Sequence, residues 1–108
     1  MDNPKGRLQI VKFTLFSGNE RLQAVTLSHN KITSIAAYVF PLHKHLKTID
    51  LSHNFIDEIH RNTFENLGNS VEALNIDNNR LGSLREEIFL PLTNLKSLQV
   101  TLIKIFTV

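Results

Sequence analysis

Two histidines and two carboxylates come closest to chemistry in this 108-residue chain. His29 and His53 stand 24 residues apart, each inside the string Ser-His-Asn. If that spacing is one turn of a repeating coil, the imidazoles lie about 5 Å apart, the separation of neighbouring strands. Two imidazoles at that distance offer two nitrogen ligands to a zinc ion. The third copy has Asn78 at this position, and His43 and His45 fall in a connecting limb, so no third ligand is in sight. No metal site is expected. Asp50 and Asp77 suggest a general acid–base pair, yet the same coil puts them on neighbouring strands one column out of step. No nucleophile elbow or Gly-rich phosphate loop accompanies them. With four scattered glycines and no cysteine, the chain reads as a non-enzyme with no catalytic residue and no cofactor.

The coil itself is written in the sequence. "LKTIDLSHNFIDEI" (46–59) carries apolar residues at Leu46, Ile49, Leu51, Ile56 and Ile59, a spacing that fits neither a helix nor a strand throughout. The pattern recurs in "LQAVTLSHNKITSI" (Leu22, Val25, Leu27, Ile32, Ile35) and "VEALNIDNNRLGSL" (Val71, Leu74, Ile76, Leu81, Leu84). A fourth copy begins with Leu95, Leu98 and Val100. Each complete copy adds a phenylalanine five residues on: Phe40, Phe64 and Phe89. Self-similarity at this period marks a solenoid. The chain divides into a partial repeat 1–21, repeats 22–45, 46–70 and 71–94, and an incomplete repeat 95–108, all in one domain.

Alternation in Thr48-Ile49-Asp50-Leu51-Ser52 predicts a short strand with one buried face. Copies stack these strands in parallel, centred on Val25–Leu27, Ile49–Leu51, Leu74–Ile76 and Leu98–Val100. After each strand the chain turns and returns along the opposite side, burying Ile56, Ile59 and Phe64. The bend strands backbone polar groups that cost ~1–3 kcal/mol each if buried unpaired. Asn30, Asn54 and Asn79 sit there, with short side chains that both donate and accept. They are expected to form a structural ladder. Phe16, Phe40, Phe64 and Phe89 are expected to form an aromatic spine on the far side. Val11 and Leu8 match Ile35 and Ile32, so the chain reads as opening halfway through a repeat. At the other end Ile105 and Val108 keep register, Leu102 and Phe106 face outward, and Ile103 falls where the ladder calls for asparagine.

Composition narrows the remaining classes. A chain with 42% apolar and 20% charged residues folds rather than staying disordered. A net charge of +2 is too small to point to nucleic acid or a membrane surface, and Lys5, Arg7 and Lys12 read as a solvated charged end. "MDNPKGRLQIVKF" has no apolar signal-peptide core, and the longest uncharged run, 32–43, is too short to cross a bilayer.

"LxxLxLxxNxIxxIxxxxFxxL" at a 24-residue period resembles the typical class of leucine-rich repeat proteins, best represented by extracellular and cell-surface molecules. "FENLGNSVEAL" is similar to the junctions of chaoptin-like adhesion proteins and Toll-type ectodomains. The resemblance implies an α/β solenoid, a right-handed horseshoe with a parallel concave sheet and an irregular or short-helical convex side. It also implies a protein-interaction or adhesion role without catalysis, at the cell surface or outside the cell. The Cys-rich caps of extracellular relatives are absent, as are Asn-x-Ser/Thr glycosylation sites. The chain thus reads as a fragment or shortened isoform of a longer surface protein.

In that family the concave sheet meets the partner. Its outward positions here include Thr26, Ser28, Thr48, Asp50, Ser52, Asn75, Asp77 and Gln99, with Ala24, Ala73 and Ser97 between them. All are small or polar and none is aromatic, whereas binding hot spots favour Trp, Tyr and Arg. A protein ligand on this face is one reading. A structural spacer supporting surfaces elsewhere in a longer chain is the other, and a cytoplasmic scaffold a third. The uncapped last strand also predicts edge-to-edge self-association.

Overall fold

Each repeat opens on a triplet whose middle residue is apolar, and each triplet is a strand. The computed structural model describes residues 10–11, 21–37, 39–40 and 44–103. Strands β2 (Ala24–Thr26), β4 (Thr48–Asp50), β6 (Ala73–Asn75) and β7 (Ser97–Gln99) form one parallel sheet in the order β2-β4-β6-β7. Val25 pairs with Ile49, Ile49 with Leu74, and Leu74 with Leu98. Such a register puts every central apolar residue on the same face.

The returning limb is more regular than expected. Two-residue strands β1 (Ile10–Val11), β3 (Ser34–Ile35) and β5 (Glu58–Ile59) make a second parallel sheet, β1-β3-β5. Val11 pairs with Ile35, the match that repeat alignment gives. Among the described residues the short helical pieces are two 3-10 turns, Glu65–Leu67 and Glu86–Ile88. At the longer third junction, a Cβ on Gly68 would stand 2.9 Å from the Pro91 carbonyl oxygen. Only a glycine admits that approach unstrained. The Gly68 carbonyl in turn accepts both the Thr93 amide (3.0 Å) and hydroxyl (2.8 Å), tying one coil to the next.

The core lies between the two limbs. Ile49, Leu51, Leu74 and Ile76 from the strand side meet Ile32, Ile56 and Leu81 from the return, all essentially inaccessible to solvent. Phe40 and Phe64 are fully buried with ring centroids 5.9 Å apart, and Phe89 continues the stack 6.4 Å from Phe64, partly buried. Phe16, Leu8, His43, Ile105, Phe106 and Val108 lie outside the described residues.

Two positions differ from the pattern. Leu98 keeps its register opposite Leu74 but is 39% exposed, because β7 is the outermost described strand and no described strand pairs with its far side. Ile103, aligned by sequence with the asparagines, is not at the ladder position. Its amide donates to the Leu81 carbonyl (2.8 Å), as the amides of Phe55 and Arg80 donate to Ile32 and Ile56. The fourth bend is therefore one residue tighter, and Ile103 stands in the column that follows the asparagines.

Candidate functional site

The bend after each strand needs a left-handed residue. His29, His53 and Asn78 take φ of 58°, 56° and 57°, and they are the described non-glycine residues with positive φ. Asn and His tolerate this conformation better than β-branched or bulky residues do. The histidine string therefore has a backbone reason before any chemical one. Leu102, the next residue in the series, is not among these left-handed positions, in line with the tighter fourth bend.

One residue on, the asparagines turn inward. Asn54 Oδ1 accepts the amides of Asn30 (3.1 Å) and Ile32 (3.2 Å) from the preceding coil. Its Nδ2 donates to the carbonyls of Leu27, Leu51 and Ser52 at 3.0–3.1 Å. Asn79 repeats the arrangement: Oδ1 accepts from Ile56, and Nδ2 donates to Leu51, Ile76 and Asp77. Asn30 donates to Leu27 and Ser28. Asn54 and Asn79 are buried and their hydrogen-bonding capacity is used within the fold.

The outer face of the β2-β4-β6-β7 sheet holds the sequence-chosen partner residues. Thr26, Thr48 and Gln99 are exposed, while Ser28, Asp50, Asn75 and Asp77 are half-buried. Ser52 does not project outward. It is 5% exposed, and its amide (2.9 Å) and hydroxyl (2.6 Å) both donate to Asp50 Oδ1. The same two-residue link recurs as Thr26–Ser28 (3.3 Å) and as Asn75 Oδ1 accepting the Asp77 amide (3.0 Å). Asp77 also accepts a short hydrogen bond from the Thr101 hydroxyl. The Asp50 carboxylate thus holds its own turn and the Asp77 carboxylate ties its coil to the next, each engaged separately rather than as an acid–base pair.

The structure brings His29 and His53 face to face, ring centroids 4.4 Å apart and 7° from parallel, with the Asn78 amide 3.5 Å from His53 Nε2. Among the described residues no cluster of three or more His, Asp or Glu side chains could hold a metal ion. Beyond the asparagines, at the next column, the Arg80 guanidinium lies 4.2 Å from the centre of the Phe55 ring, a cation–π contact. Sequence reading passed over this pair. Its signal was the equivalence of Lys31, Phe55 and Arg80, each directly following a ladder asparagine in successive copies.

Known proteins share this grammar. Residues 20–70 match the family described as leucine rich repeat. Over 65 residues the chain is 38% identical to the mouse (Mus musculus) leucine-rich repeats and immunoglobulin-like domains protein 2, covering 60% of this chain and 6% of that protein. Over 85 residues it is 30% identical to leucine-rich repeat-containing G-protein coupled receptor 4 of Bos taurus, covering 79% of this chain and 9% of that protein. The chain thus spans less than a tenth of the length of either relative. Parallel strands in register, an asparagine at each of three bends, a stacked phenylalanine column and these matches agree: the chain belongs to the leucine-rich repeat family.

Proposed function

We propose that this chain is a non-catalytic protein-interaction module of an extracellular or cell-surface protein of adhesion or receptor type. The interaction role is supported by the family and by both relatives. The cell-surface setting is supported by the name of one of them, a G-protein coupled receptor. No helix among the described residues is long and apolar enough to cross a membrane. One observation carries the choice of surface: four parallel strands present one outer face that the described residues leave open, on which Thr26, Thr48 and Gln99 stand exposed beside Ser28, Asp50, Asn75 and Asp77. Ser52 supports that face from beneath by fixing Asp50.

The spacer reading has its own support. Polar groups on this face are bonded to one another within each coil, which suits a surface kept soluble. Binding of the fluorescently tagged chain to intact cells separates the two. Saturable binding, lost in the Thr48→Arg/Asn75→Arg double variant that keeps its thermal melt, is expected of a contact on this face. Binding retained by that variant moves the contact elsewhere, and no saturable binding by either favours the spacer.

A further inference from the structure

The two edges of the four-stranded sheet differ in how their charges are used. Just before the strands, Glu72 lies between two lysines, 3.5 Å from Lys47 and 3.8 Å from Lys96. There Glu72 offsets one of the two positive charges and gives both lysines a carboxylate partner. Just after the strands, on the bend side, the column is Lys31, Phe55, Arg80 and then Ile103. Among the described residues no carboxylate forms an ion pair with Lys31 or Arg80. Phe55 is 37% exposed and Ile103 43%, an apolar surface that the rest of the sheet face lacks.

We propose that this bend-side rim is a docking surface for an acidic segment of a protein partner, with Arg80 stacked on Phe55 as its anchor. The proposal rests on the reading of the chain as a binding module and names a second surface for it. Guanidinium stacking over a ring face leaves the edge N–H groups pointing outward in one plane, the geometry that receives a carboxylate in two parallel hydrogen bonds. The contact also restricts a long side chain that would otherwise lose more rotamer freedom on binding. Lys31 adds a second positive charge two coils away, so a chain crossing the repeats meets charge, ring and charge in turn. Beside this column the His29–His53 stack supplies a flat wall with ring nitrogens at its edge. Arg and aromatic side chains carry hot-spot energy, and they occur on this rim rather than among the small residues of the sheet face.

Fluorescence anisotropy with a labelled Glu-rich dodecapeptide tests this on the full chain at low salt, with its Gln counterpart, inorganic phosphate and phosphatidylserine vesicles as comparison probes. The Glu peptide is expected to bind, and the Gln peptide not to. Arg80→Gln should weaken binding about tenfold, the scale of one lost charge-assisted contact. Arg85→Gln removes the same charge from an exposed site on the opposite limb and should leave binding unchanged. Arg80→Lys, which keeps charge but loses the fork, should fall between. Phe55→Leu should weaken binding while preserving the melt. Equal losses in Arg80→Gln and Arg85→Gln would reduce the effect to net charge and overturn the proposal. Tighter capture by vesicles or phosphate than by the peptide would overturn the choice of partner. Loss only in Thr48→Arg/Asn75→Arg would return the contact to the sheet face, leaving the binding-module reading intact without the rim.

Discussion

Asn54 closes the bend of the coil before its own: its Oδ1 receives the Asn30 amide at 3.1 Å, across 24 residues of chain. A side chain in one repeat thereby completes the backbone of another. Asn54→Leu keeps the branching of the side chain but removes every one of these bonds. The Asn30 and Ile32 amides lose their acceptor, and the Leu27, Leu51 and Ser52 carbonyls have one donor fewer. The substitution also forces a bulkier apolar group into a buried polar site. At ~1–3 kcal/mol for each unsatisfied group, partly relieved by relaxation, the expected loss is about 3–5 kcal/mol. Thermal melts followed by circular dichroism should shift down by more than about 10 °C. An unchanged midpoint would mean that the ladder does not hold the bends.

Much of this architecture was present in the residues because each coil repeats the same physical demands. Val25, Ile49, Leu74 and Leu98 align by counting, and the strands register where counting puts them. Counting fails where a demand ceases to repeat. Ile103 slips by one position because its bend has neither an asparagine nor a left-handed residue to hold the longer path. Ser52 lies on the outward count yet folds in, since its hydroxyl is captured by Asp50. The second sheet escaped notice because two-residue strands leave no alternation to read. Arg80 and Phe55 were passed over for a different reason: their contact joins unlike residues at equivalent positions, and a search for sameness discards them.

The bend histidines are expected to answer to backbone shape. His53 holds φ at 56°, and a β-branched residue there pays roughly 1–2 kcal/mol for the left-handed conformation. His53→Val should lower the urea midpoint accordingly. His53→Asn should leave it nearly unchanged, because Asn78 performs the same turn one coil on. Equal losses in both variants would assign the stability to the imidazole stack with His29 instead.

Position within the phenylalanine column should set the cost of removing each ring. Phe64 is fully buried between Phe40 and Phe89, whereas Phe89 is only partly buried. Phe64→Ala is expected to cost about 3–5 kcal/mol in equilibrium unfolding, as full burial of a large ring implies. Phe89→Ala should cost clearly less. A reversed order would mean that the outer coil contributes more to cooperative folding than the centre of the stack.

Exposed apolar residues on the outermost described strand should make the chain associate. Leu98, Leu102 and Ile103 are 39%, 43% and 43% exposed, and they adjoin an edge of β7 that pairs with no described strand. An unpaired edge with apolar flanks is a template for a second chain. Light scattering at micromolar concentrations should therefore show species larger than one 12.3 kDa chain, increasing with concentration. Leu102→Asn with Ile103→Asn removes apolar surface that is 43% exposed at each residue, so it should lower the melt only modestly. The same pair should reduce the mean mass and raise solubility. Because Ile103 belongs to the rim column, the Glu-peptide assay is run beside this measurement on Leu102→Asn alone: association through the edge predicts that this single variant lowers self-association and keeps the Arg80-dependent binding. A chain that is monodisperse and monomeric without any substitution would show that this edge is not a contact surface at all.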